Sequence, residues 1–524
     1  MQTLSSPSRD QPCYTREDWQ RGYQSQPQES TYWITDIQGQ IPPDLQGTLF
    51  RNGPGLLDVN GQTLHHPFDG DGLICQITLS QGRAHFRSRY VKTEGYLAER
   101  QADRILYRGV FGTQKPGGWL ANCFDTQLKN IANTNVIYWG GKVLALWEAA
   151  EPHHLDPHTL DTVGLDRLQG LLKPGGAFSA HPRFDPGSER THGEPRLVNF
   201  SVKAGLSSSI TLYEFNTQGD VVQTQTRSIP GFAFLHDFAI TPNYAIFFQN
   251  PVTFNPLPFA LGLKSAAQCV GFQPDRPTKA LVIPRDPSQS LITIDLPSCF
   301  VFHHANAFET QAPVAQTAQS SAATATDGSD RDTLGDRIIV DSICYDFFPN
   351  VGPDDDFLEV DFDSYPAGKL WRYELDLSTA TGTSTLMIDR PCEFPSQNPQ
   401  LVGQKARYYY IGTAHNPTGN SPLQAVMKVD LDTGREMVHS FAPRGFMGEP
   451  LFVPRPGARA EDDGWVLILT YQADRHVSAL AILNAQTLQP EAMLYLNEHI
   501  PYGLHGTFTP EVLGLPDSGD GSVG

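Results

Sequence analysis

The chain has 524 residues, 39% hydrophobic and 10% aromatic, which is ample for a large core; its 46 glycines and 41 prolines suit many short strands joined by turns. A net charge of -19 and a pI near 5.2 argue against nucleic-acid partners and against polybasic attachment to anionic lipid. Seven scattered cysteines, odd in number and without a C-x-x-C pair, point to a reduced, cytoplasmic protein.

Residues 1–30 are polar and read as an N-terminal arm; they lack the apolar core of a signal peptide. From about Trp33 onward, short alternating strands are split by turns. Strand–turn–strand units recur at Leu73–Phe86, Val143–Val163, Ile210–Thr224, Ala280–Leu296, Leu370–Met387, Ala425–Phe441 and Ala479–Tyr495. Several turn on glycine, as at Gln218-Gly219 and Asp432-Thr-Gly434. Seven such units predict an all-β, seven-bladed propeller over residues 31–510, as one domain. The alternative is a set of unrelated hairpins in two β domains. Weak helical stretches near 98–130 and 255–268 read as excursions from the scaffold. Residues 310–333 form a low-complexity loop insertion and 511–524 a flexible tail.

Sixteen histidines are present, and four stand in apolar surroundings beside other marked residues: His181, His236, His303 and His505. Three glutamates, Glu148, Glu393 and Glu449, also interrupt apolar stretches, where an unpaired carboxylate is costly. Taken singly, each histidine reads as a hydrogen-bonded structural residue and each glutamate as a turn cap or the partner of a local arginine. Taken together, the seven follow one another at intervals of 33, 55, 67, 90, 56 and 56 residues. The interval of 90 holds the insertion, and the others, apart from the first, approximate one blade. A propeller lays its innermost strands around one axis, so one such residue per blade converges at the centre. Four neutral imidazoles suit zinc, copper or iron. An octahedral four-histidine site with two open positions suits ferrous iron better than a closed zinc site. Each glutamate is then expected to accept the free N–H of a ligating ring. In the pair His303-His304, neighbours on a strand point to opposite faces, so only one can face the axis. Phe68-Asp-Gly-Asp-Gly72 lacks the glutamate that would complete a calcium loop and reads as a tight turn.

The chain resembles the carotenoid cleavage oxygenase family from about Trp19 to Phe508. The resemblance is carried by Gly47-Thr-Leu-Phe-Arg-Asn-Gly-Pro-Gly55, His66-Pro-Phe-Asp-Gly-Asp-Gly72, Asn130-Ile-Ala-Asn-Thr-Asn135, Ala145-Leu-Trp-Glu148, His236-Asp-Phe238, Phe302-His-His-Ala-Asn-Ala-Phe-Glu309 and Glu449-Pro-Leu-Phe-Val-Pro-Arg-Pro456. It implies a propeller with a loop and helix dome over the active-site face. It also implies ferrous iron on His181, His236, His303 and His505, with Glu148, Glu393 and Glu449 behind them. Thr134 is placed near an open iron position. Phe111, Trp147, Phe234, Phe302 and Tyr345 are placed along a substrate tunnel. The implied activity is that of an O2-dependent dioxygenase that splits the central 15,15' double bond of an apocarotenal into retinal and a second aldehyde. Rivals are another apocarotenoid bond, a stilbene-like olefin, or a non-catalytic propeller that binds a partner. No protein partner is inferred. An apolar substrate suggests peripheral contact with a membrane face through Val110-Phe111, Trp119-Leu120 or Pro256–Leu263, unless these runs pack the dome.

Overall fold

Each strand–turn–strand unit of the sequence lies in the outer part of a larger antiparallel sheet, and seven such sheets form a β-propeller. The computed structural model describes residues 13–311, 336–349, 352 and 355–516. The first twelve residues of the expected arm, the insertion from 312 on and the tail from 517 on lie outside them.

Blades are numbered here from the N-terminus. The innermost strands of blades 2 to 6 are Asn135–Trp139, Arg183–Asp185, Ala239–Ile240, Phe300–Thr310 and Cys392–Ser396. Blade 7 opens with Gly445–Met447 and Leu451–Pro454. The two ends of the chain interlock to close the ring. Gly506–Thr509 is the inner strand of blade 1 and pairs with Gly47–Leu56, while Asp36–Gly39 adds the outer strand of blade 7 beside Pro490–Tyr495.

Strand periodicity explains the ring. Side chains alternate across a sheet, so a strand with neighbours on both faces must be apolar throughout. Tyr409 packs into the core shared with blade 5, and Tyr410 into the core shared with blade 7. Phe247 faces blade 3, while Ile246 and Phe248 face blade 5. Seven such cores, one between each adjacent pair of blades, replace a single central one. Outer strands lose one neighbour and turn polar: Arg435–Ser440 has no fully buried residue. The glycine turns adopt left-handed backbone, with φ of 84° at Gly219 and 68° at Gly434.

Inner strands run away from the end where His181, His236 and His505 stand just ahead of them. Connections entering inner strands, and those from second to third strands, therefore gather at that same end. The loops 91–134 and 250–277 and the described residues of 346–368 belong to this set and form the dome, with helices Glu94–Ala102, Trp119–Asn122 and Pro256–Ala260. Ala267 N–H donates to the Val110 carbonyl across two of these loops, 2.9 Å away.

The described part of the arm is docked. Arg16–Arg21 is a helix capped by Thr15, and its Trp19 is buried against Phe446 and Tyr471. One buried aromatic holds this polar segment, together with Arg16 and Gln20, which donate to the Val360 and Leu358 carbonyls, and Asp18, which pairs with Arg444. The tail is also held at its start: Leu513 is buried and exchanges hydrogen bonds with Thr48 and Thr78. Flexibility expected from residue 511 therefore does not apply there.

Candidate metal centre

Four imidazoles meet on the propeller axis. The ring nitrogens available to a metal on His181, His236, His303 and His505 all lie within 4.8 Å of one another. Ring centroids are 4.3 Å apart for His181 and His236, 4.5 Å for His181 and His505, and 4.9 Å for His303 and His505. The rings come from blades 3, 4, 5 and 1. His303 sits in an irregular stretch of its strand, where the pairing register shifts between Val301 and His304 and again between His304 and Asn306. Such bulges re-aim side chains. His304 points the other way: it is buried, bonds Ser342 Oγ at 2.7 Å and packs edge-on against Phe248.

Three of the rings are held from behind. Nδ1 of His236 lies 2.7 Å from Glu148 Oε2, that of His303 lies 2.6 Å from Glu393 Oε2, and that of His505 lies 2.8 Å from Glu449 Oε1. A carboxylate accepts only, so each ring donates Nδ1–H and keeps the Nε2 lone pair for the axis. Nε2 of His181 and of His303 is buried without a hydrogen-bond partner. Lone pairs converging in a dry centre leave acceptors facing acceptors; a cation among them satisfies all of them. The donor set therefore fits a metal ion.

His181 has no carboxylate behind it among the described residues. Burial and the three neighbouring imidazoles hold it well below the usual histidine range, so this ring stays neutral. Burial also lowers His505, against the pull of Glu449. For His303 burial acts downward, but the Glu393 carboxylate, with Asp237 and Glu449 beyond it, outweighs it and the ring is raised. Burial pushes Glu449 upward, yet His505 and Arg51 bring it to about 2.

Glu393 comes from the innermost strand of blade 6, and Glu449 from the break between Gly445–Met447 and Leu451–Pro454 on the inner side of blade 7. Glu148 does not come from the innermost strand of blade 2; it follows the second strand, Lys142–Leu146. This accounts for the short interval of 33 to His181. Just ahead of the innermost strand of blade 2 stands Thr134, whose carbonyl accepts the N–H of His505 at 3.1 Å.

Of the expected tunnel residues, three form one group. Phe302 lies 5.4 Å from the His236 ring and 5.7 Å from Tyr345, and Phe234 joins them through Phe300 and Phe348. Tyr345 O–H donates to Glu393 Oε1 at 2.8 Å, so this residue also helps to hold the centre. Phe111 instead stacks on His66 and meets Phe68 edge-on. Trp147 is buried, beside Ile131 and Thr113. Of Phe68-Asp-Gly-Asp-Gly72, the first two residues end a 3-10 turn, Pro67–Asp69, and the last two open the strand Asp71–Ser80; Asp69 accepts N–H bonds from Phe111 and Thr113, a structural role.

Two neighbours of the centre escape a reading of the sequence. Phe394 packs on His303 and His505, at 5.5 and 5.3 Å, with a left-handed φ of 58°. Its N–H bonds Glu393. Nothing in a phenylalanine announces left-handed backbone. Arg51, almost fully buried, pairs with Glu449; a lone charge between Phe50 and Asn52 in a buried strand was the available signal. Beside the centre lies a cavity of about 330 Å³, lined by Trp19, Phe68, Tyr345, Phe362, Phe394 and Leu504.

The profile of the RPE65 family, described as retinal pigment epithelial membrane protein, matches residues 23–510. This chain belongs to that family. The family includes carotenoid cleavage oxygenases, and the chain is 52% identical to the apocarotenoid-15,15'-oxygenase of Synechocystis sp. over 507 residues, covering 96% of this chain and 98% of that protein. Identity is 27% to a carotenoid cleavage oxygenase of Mycobacterium tuberculosis and 28% to an isoeugenol monooxygenase of Pseudomonas nitroreducens, covering 90% and 92% of this chain and 93% and 95% of theirs. The fold matches the crystal structure of cobalt-substituted Synechocystis ACO with a TM-score of 0.89 and 51% identity, over 95% of this chain and all of that one. The RPE65-family fold is thus present from blade to blade, with the four-imidazole cluster at its centre.

Proposed function

We propose that the chain is a non-haem iron(II) dioxygenase that cleaves the central 15,15' double bond of apocarotenals with O2, giving retinal and a second aldehyde. The observation that carries this is the cluster of four inward-facing imidazoles, three backed by carboxylates, next to an aromatic-lined cavity. His181, His236, His303 and His505 hold the iron through Nε2, and Glu148, Glu393 and Glu449 fix the rings. Iron(II) bound there supplies the electron density that lets O2 react with a closed-shell olefin. Phe234, Phe302 and Tyr345 wall the approach, exclude water and hold a rigid polyene in one pose. Thr134, whose carbonyl accepts the His505 N–H, would stand beside the bound metal. No protein acid or base is required for the cleavage.

The expected result is one iron per chain in the purified protein, and retinal from a β-apocarotenal only when O2 is present. Chelation abolishes turnover, and iron(II) restores it. Resveratrol and isoeugenol, tried beside it, measure the second reading, cleavage of a phenolic olefin; relatives so named are 26–29% identical, against 52% for the apocarotenoid oxygenase. Turnover of those compounds and not of apocarotenals overturns the substrate assignment.

Substrate delivery is part of the same proposal. No helix among the described residues is long and apolar enough to cross a membrane. Two dome helices and the turns that follow them nevertheless expose Trp119, Leu120, Phe124, Leu257 and Leu263, with Leu120 at 81%. Trp119 Nε1–H donates to the Leu261 carbonyl, and the buried Arg108 guanidinium ties the Asp125, Phe259 and Lys264 carbonyls together. A fixed apolar patch of this kind suits a bilayer surface. Val110 and Phe111 are half-buried and do not join it. Leu120→Glu with Leu263→Glu is expected to abolish co-sedimentation with neutral phosphatidylcholine vesicles while leaving cleavage of detergent-dispersed substrate intact. Unchanged sedimentation removes this surface from consideration.

A further inference from the structure

The three imidazole–carboxylate pairs look alike from the axis but differ behind it. Glu393 takes neutral donors, the Tyr345 hydroxyl and the Phe394 N–H. Glu148 has no basic partner other than His236 among the described residues. Glu449 alone meets a guanidinium: Arg51 Nη1 lies 2.5 Å from Oε2, and both side chains are largely buried. The other arm of the same fork, Nη2, donates at 2.7 Å to the carbonyl of Leu504, the residue just before His505. Arg51 thus grips one ligand twice, through the carboxylate behind its ring and through the backbone ahead of it. Planar, rigid and always charged, arginine is the residue type suited to such a fork.

The charge count gives this contact a second meaning. Metal-bound imidazoles are neutral. Three carboxylates and one guanidinium then leave the surrounding shell with two negative charges, the complement of a divalent ion. The Arg183–Asp237 pair nearby cancels itself. Without Arg51 the shell carries three negative charges, the complement of a trivalent ion. Charge interactions are strong where water is excluded, so one buried cation biases the balance.

We infer that Arg51 is a positioning residue that holds His505 in place and sets the charge of the shell so that the bound metal stays divalent. The inference rests on reading the four imidazoles as an iron centre. It predicts that Arg51→Met lowers the midpoint potential of the iron-loaded protein. The ferric-to-ferrous ratio at a given potential is expected to rise about tenfold, which for one electron is about 59 mV. Glu449→Gln is expected to move the potential the opposite way. The double variant Arg51→Met with Glu449→Gln restores two negative charges and is expected to return to the wild-type value, and Arg51→Lys to stay near it.

Redox titration followed by the ferric electron paramagnetic resonance signal reads all of these. A role confined to packing would shift metal affinity but leave no pattern of opposite shifts and recovery. If Arg51→Met fails to fold, the step from Glu449→Gln to the double variant still measures the removal of the guanidinium. Identical potentials in all variants, or a double variant as displaced as Arg51→Met, overturn the inference. Loading the same proteins with copper separates the two readings: a protein that takes no iron sinks the iron assignment, while the Cu(II)/Cu(I) couple still decides the part played by Arg51.

Discussion

His303→Ala is expected to reduce apocarotenal cleavage by more than about 100-fold, beyond the upper range for loss of a partner that merely supports a ligand. His304→Ala, one residue along, is expected to keep its metal and most of its activity per folded molecule. The contrast follows from the strand. His303 turns to the axis, with its Nδ1 against Glu393; His304 lies on the other face, bonded to Ser342 and packed on Phe248. Loss of His304 leaves a hydroxyl short of a buried partner, which costs about 1–3 kcal/mol of stability. Loss of His303 does more than delete a ligand. Glu393 keeps its negative charge with only the Tyr345 hydroxyl and the Phe394 N–H to balance it. Three imidazoles can still retain a metal, as in many zinc sites, so iron content and turnover must be measured separately. Metal analysis and retinal formation by both variants, with thermal melting as the control for folding, make the test. Full activity in His303→Ala together with its loss in His304→Ala would reverse the assignment of the two faces.

The scaffold was legible because its outer hairpins follow simple chemistry. Alternating strands and turns such as Gln218-Gly219 mark seven units, and all seven lie in the sheets of separate blades. The cluster was legible because His181, His236, His303 and His505 each interrupt an apolar run, and only a closed ring brings such distant residues together. What stayed hidden depends on departures from regular pairing. Register shifts surround His303, and another falls between Glu393 and Pro395; local alternation cannot place them. Glu148 reaches the centre from a second strand, which the expectation of one residue per inner strand does not anticipate. The docking of 16–21 rests on one tryptophan and on polar contacts to Leu358, Val360 and Arg444 that are distant in sequence, so composition does not announce it.

Glu393→Gln is expected to cost about tenfold in metal affinity or turnover, Glu393→Ala nearer 100-fold, and Glu449→Gln more than Glu393→Gln. The order follows from counting donors. The Glu393 carboxylate receives His303 Nδ1–H and Phe394 N–H on one oxygen and the Tyr345 hydroxyl on the other. A glutamine offers one oxygen and one NH2 group. If its oxygen takes the first pair, its NH2 faces Tyr345, and a hydroxyl can turn and accept. The ring of His303 therefore keeps its orientation and loses only the nearby charge. Alanine removes the acceptor as well and frees the ring. Glu449 stands between His505 and Arg51, which are both donors here. A guanidinium cannot reverse its role, so the NH2 of a glutamine at 449 meets another donor. Two carboxylates with the same task thus differ in their tolerance of the same change. Chelator competition for Zn2+ measures the affinities without redox chemistry. Equal losses for the two glutamine variants would mean that the rings are held by the shape of the cavity rather than by these hydrogen bonds.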